Sequence, residues 1–230
     1  MPISRRSFFA TGAAAVGSLG LAAKAVDAQV IYKHSDWKSP EFDALIKNPA
    51  QVKQLFDARA IADGQFLNAI KNSLNGLHFG FEVPADQIKI LSCMHGAANM
   101  LNFDDSMWAK YRIGEYLKVN DAQTGKPAVR NIFFPKHKNF NSTDTEDHTS
   151  IYQDTSIETL QARGVKFLSC HNATSVQARS MIDSFSLQVT PEEMVKDLQS
   201  HTLPAVLIVP AMVAAIALLQ SEGHFSYISG

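Results

Sequence analysis

Apolar positions in this 230-residue chain change their spacing several times, and each change marks an element. Val52, Leu55, Phe56, Ala58 and Ala60 predict a first strand between Gln51 and Ala60. From Asp63 or Gly64 the spacing turns helical, with Leu67, Ile70, Leu74 and Leu77 along one side and Gly76 and Gly80 loosening the end. Gln87 to Cys93, after Pro84, reads as a compact apolar strand, and His95-Gly96-Ala97-Ala98 as the turn behind it. Met100 to Leu117 predicts loop and then helix, started by Asp104 and Asp105 and packed through Trp108, Tyr111, Ile113 and Tyr116. Ser156 caps a helix that runs to Arg163, Gly164 ends it, and Val165 to Ser169 forms the next strand. A short polar turn then leads to a helix over Ser175 to Phe185. Thr190-Pro191-Glu192-Glu193 opens another, with threonine as cap, proline in the first turn and Glu193 completing a capping box.

The most hydrophobic run, Leu203 to Leu219, is divided by Pro210 into a buried strand, Ala205 to Val209, and a helix, Ala211 to Ser221, presenting Met212, Ile216 and Leu219. With two prolines it does not read as a membrane span. Gly223 stops the helix and His224 to Ile228 supplies a last short strand. Strands that alternate with helices, and are continuously apolar, predict a mostly parallel sheet covered on both faces: one doubly wound α/β domain over residues 51–230. Two stretches lack a period. Val30 to Pro49 reads as an extended N-terminal arm, and Val119 to Ser150, rich in Asn, Lys, Thr and Asp, as an insertion that is either exposed or a flap near the site.

Charge and composition then bound the setting. Ser4-Arg5-Arg6-Ser7-Phe8-Phe9, followed by a mild apolar stretch from Ala10 to Ala23, looks like a twin-arginine signal, with cleavage expected after Ala28 or, as an alternative, Ala25. The expected location is therefore periplasmic or otherwise exported. Loss of residues 1–28 leaves 18 basic and 21 acidic side chains and a net charge of −3, which argues against nucleic acid or an anionic membrane as the main partner. About 200 residues remain, enough for one domain with a sizeable core.

The chemistry gathers at two strand ends. Cys170 lies in GVKFLSCHNAT and Cys93 in KILSCMHGAAN, with His171 and His95 beside them. In open α/β sheets reactive groups collect at the carboxyl ends of strands, where a following helix N-terminus favours negative charge, so a cysteine there can be held as thiolate. Cys170 is the candidate nucleophile, His95 or His171 its candidate proton donor, and Asn172 and Thr174 candidate hydrogen-bond donors. Cys93 is open to three readings: a resolving thiol, a disulfide partner of Cys170, or core.

The GVKFLSCHNAT segment behind its short helix, the strand ending in Met94-His95-Gly96-Ala97, and the closing IVPAMVAAIALLQSEGHFSYI together resemble the DsrE/DsrF-like family over roughly Val52 to Ile228. The resemblance implies a doubly wound domain, association into small homo-oligomeric rings, and a sulfur carrier in which Cys170 takes up sulfane sulfur as a persulfide and exchanges it with a donor or acceptor protein. No cofactor is implied. Two rival readings stand beside it: a non-catalytic oligomeric binding protein, and a metal-binding module using Cys93, His95, Cys170 and His171, for which soft thiolate and imidazole suit copper or zinc.

Overall fold

Five extended segments, Val52–Ala58 (β1), Ile88–Met94 (β2), Lys166–Cys170 (β3), Leu207–Val209 (β4) and Ser226–Ser229 (β5), pair in one sheet of order β4-β3-β2-β1-β5. Every pair is parallel. The computed structural model describes residues 37, 39–135 and 140–230, so the expected leader, residues 1–28, lies outside the described residues. Parallel neighbours need crossovers, and helices supply them. Pro40–Ile46 (α1) precedes the sheet; Gln65–Asn75 (α2) joins β1 to β2. Asp105–Lys110 (α3), Ile113–Leu117 (α4) and Ile157–Ala162 (α5) lie between β2 and β3. His171–Phe185 (α6) and Pro191–Ser200 (α7) lead to β4, and Met212–Ser221 (α8) leads to β5.

Side chains alternate across a strand, and here the alternation sorts the core into two clusters. Phe56, Ala58, Ile90, Met94 and Phe167 pack with Phe66, Leu67, Ile70 and Leu74 of α2 and with Ile157 and Leu160 of α5. The intervening positions, Leu55, Leu91, Cys93, Leu168, Cys170 and Val209, pack with Met212, Ala215, Ile216 and Leu219 of α8 and with Leu45 of α1. A third cluster, around Trp108, joins α3 and α4 to α6 and α7. The domain is thus α/β with an all-parallel sheet, as the apolar strands predict. Among the described residues no helix is long and apolar enough to cross a membrane.

Three local features differ from the sequence expectation. The N-terminal arm is not wholly extended: Ser39 caps α1, Pro40 takes its first position, and Phe42, Leu45 and Ile46 dock on the α8 side of the core. The helix after β3 starts at His171 and not at Ser175, with no turn between strand and helix. The Val119 to Ser150 stretch forms neither helix nor strand among its described residues, yet it is anchored. Asn131 Nδ2 donates to the carbonyls of Leu101 and Phe103, and Asp105 Oδ1 accepts from the Asn131 amide. Gly114 permits the backbone of Ala128 to pass against α4: a β-carbon at 114 would lie 2.7 Å from the Ala128 nitrogen and overlap its carbonyl oxygen.

Gly114→Ala is therefore expected to lower stability by about 2 kcal/mol or more, read as a fall in melting temperature. Gly76→Ala, where a β-carbon meets nothing within 4 Å, should be neutral or slightly stabilising.

Candidate functional site

Cys170 closes β3 and is at the same time the N-cap of α6, in extended conformation (φ −94°, ψ 115°). A helix leaves its first N–H groups without intrahelical partners, and two such groups from different helices turn onto this sulfur. The Ala173 amide, in the first turn of α6, donates to Sγ at 3.4 Å, and the Met212 amide, the first of α8, donates at 3.3 Å. Both helix N-termini direct positive electrostatic potential at Sγ. Cys170 is 4% exposed, yet it faces a cavity of about 290 Å³ walled by His95, Asn172, Gln177 and Met212, with Val176 and Val213 on its wall. That cavity opens at the carboxyl ends of the strands, the expected place in an open parallel sheet.

Asn99, fully buried in the 3₁₀ segment Gly96–Asn102, holds the strand-to-helix junction in place. Its Oδ1 accepts from the Cys170 amide (2.8 Å) and from Ser169 Oγ (3.0 Å), and its Nδ2 donates to Thr174 Oγ1 (2.9 Å). Thr174 Oγ1 in turn donates to the Cys170 carbonyl at 3.0 Å. Thr174, expected at the ligand, is completely buried and its hydroxyl is engaged within this network.

His95 follows β2 directly and lines the same cavity as Cys170. The two residues share this wall without bonding to each other. His95 Nε2 lies 2.6 Å from Asp57 Oδ1, and Tyr227 of β5 donates its hydroxyl to Asp57 Oδ2 at 2.7 Å. A carboxylate can only accept, so Nε2 carries a proton towards Asp57 and Nδ1 is the ring nitrogen outside that contact. The turn that brings the ring here is tight: Gly96 has φ +55°, and a β-carbon on it would lie 2.7 Å from the Arg59 carbonyl oxygen.

The remaining expected residues fall elsewhere. Cys93 is fully buried on the α8 face, and burial together with the charge of Asp57 pushes its thiol far above the usual range. It pairs in register with Leu168, two residues short of Cys170. Both cysteines are free, so no disulfide joins them. His171 turns away from the cavity. Its Nδ1 lies 2.7 Å from Gln199 Nε2, its ring meets Trp37 edge-on at 5.4 Å, and burial lowers its pKa despite the Gln199 contact. Asn172 does line the cavity, with its backbone amide donated to the Pro210 carbonyl. Cys93, His95, Cys170 and His171 therefore do not converge, and among the described residues no group of three His, Cys, Asp or Glu side chains is placed to hold a metal ion. None of the described residues of the Val119 to Ser150 stretch lines the cavity, so they form no flap over it.

Asp57, Asn99, Gln177 and Tyr227 take part although sequence reasoning does not single them out. Asp57 alone left a signal, as a lone carboxylate in an otherwise apolar strand end, Leu55-Phe56-Asp57-Ala58. Compared with models of protein families, with curated proteins and with solved structures, the chain matches none.

Replacing Asn99 with Ala leaves buried partners unsatisfied and should cost about 2–4 kcal/mol in chemical denaturation. In the native protein iodoacetamide should modify Cys170 through its cavity and leave Cys93 intact until the fold is opened, as read by peptide mass spectrometry.

Proposed function

We propose that this protein takes up sulfane sulfur on Cys170 as a persulfide and passes it on, as an exported member of the DsrE/DsrF-like proteins that its motifs resemble. The observation that carries the reading is the placement of Sγ: it faces a cavity while two backbone N–H groups from the N-termini of α6 and α8 point at it. Such donors suit a sulfur that bears negative charge, both as the attacking thiolate and as the persulfide anion that follows. His95 on the same wall supplies an imidazole, and Asn172 a further polar group.

The lining also bears on the donor. Among the described residues no lysine or arginine contributes to the cavity, and Ala173, Val176, Ala211, Met212 and Val213 make it largely apolar. An inorganic dianion such as thiosulfate would be desolvated there without a fixed cation. An organic persulfide, R–S–SH, leaves its R group against apolar side chains and brings only sulfur to the amides. Val176 and Val213 are exposed hydrophobics on this wall, which suits delivery by a partner protein that covers them.

The test is intact-mass and peptide mass spectrometry after exposure to an organic persulfide. The wild type and Cys93→Ser should gain one sulfur atom at Cys170, Cys170→Ser should gain none, and thiosulfate should load more slowly. A folded wild type whose Cys170 stays unmodified would refute the reading.

A further inference from the structure

We propose that Asp57 and Tyr227 are positioning residues for His95, and that together they make His95 a proton relay for Cys170. This deepens the sulfur-carrier reading and rests on it. A protein that merely stores sulfur needs a thiol at a cavity; it does not need a buried carboxylate behind the neighbouring imidazole, held in turn by the hydroxyl of the half-exposed Tyr227.

That organisation is costly unless it is used or fully paired. Asp57 is 8% exposed and lies in the buried half of its strand, between the core residues Phe56 and Ala58. A carboxylate so placed requires partners, and it has two: His95 Nε2 at 2.6 Å and the Tyr227 hydroxyl at 2.7 Å. The three residues come from β1, the end of β2 and β5, so the sheet itself fixes their spacing. With Nε2 held by Asp57, Nδ1 is the nitrogen left to exchange a proton. Among the described residues, the charged and titratable groups that interact with the Asp57–Tyr227 pair or share the cavity wall with His95 include the exposed Arg59 at the end of β1, Cys93 from β2 and Cys170 from β3. Cys93 is buried and protonated, and Arg59 does not line the cavity. Besides Cys170, His95 is the only titratable side chain on the cavity wall among the described residues.

The step balances without an oxidant. The Cys170 proton passes to His95 Nδ1, and Sγ attacks the outer sulfur of R–S–SH. The donor's S–S bond breaks with its electron pair on R–S⁻, and His95 returns the proton to give R–SH and Cys170–S–SH. Asp57 stabilises the imidazolium between the two transfers, as a carboxylate does behind a catalytic histidine, and Tyr227 keeps Asp57 turned towards it.

The experiment measures the rate of Cys170 alkylation by iodoacetamide against pH, by peptide mass spectrometry, in wild type, Asp57→Asn and Tyr227→Phe. At about pH 6.5 the Asp57→Asn rate should fall roughly tenfold and the Tyr227→Phe rate about two- to threefold. At about pH 9.5, where an ordinary thiol ionises unaided, the three rates should converge. Tyr227→Phe keeps the ring in place and serves if Asp57→Asn does not fold. Profiles that superimpose across the pH range in the variants that fold overturn the relay. Because alkylation needs no sulfur donor, a protein that shows the Asp57-dependent profile but takes up no sulfur loses the carrier reading and keeps the relay. One that loads sulfur with superimposed profiles does the reverse.

Discussion

Strand β3 passes into α6 without a single intervening residue, and the arrangement of the site depends on that constraint. Cys170 must serve as the last pleat of a parallel sheet and as the cap of a helix, so its side chain falls where a serine or aspartate would normally satisfy the first amides. Here sulfur takes that place. The junction has no slack to absorb error, and Asn99 supplies the control by binding the Cys170 amide and Thr174 at once. Because α8 begins over the same strand ends, its first amide reaches the same sulfur.

The strand order places the other groups. β1, β2 and β3 are consecutive neighbours, and each contributes one polar or reactive residue near its carboxyl end: Asp57, His95 just beyond β2, and Cys170. Period-two alternation puts Asp57, Cys93 and Cys170 on the α8 face. Two cysteines in similar local sequences thereby acquire opposite characters. Cys170 ends its strand and meets amides and a cavity; Cys93 lies one residue inside its strand and meets only core and a neighbouring carboxylate.

Much of this was legible in the chain. The apolar periods locate all five strands and the helices α2, α5, α7 and α8 to within a few residues, and the Thr190 capping box forms as its residues require. Cys170 and His95 are found on one cavity wall, as their strand-end positions suggest. What escaped reading depends on register or on distant pairing. His171 could be placed only once the helix start was known, because one residue of helix turns it towards Gln199. Asp57 and Tyr227 are separated by 170 residues and meet only through the pairing of β1 with β5. The α1 helix, seven residues long, is too short for a period to declare itself, and Ser39 and Pro40 cap and start it within a stretch that otherwise reads as extended.

The β1–β5 pairing also sets when the site can exist. It joins the first strand of the sheet to the last, the kind of non-local closure that comes late in folding because its loop entropy is offset only after the intervening chain is ordered. During synthesis β1 is made long before β5, so a partly made chain presents the Cys170 segment without Tyr227 beside Asp57. The last strand thus acts as a completion mark: the hydrogen-bonded chain behind His95 closes only in a molecule whose sheet is finished.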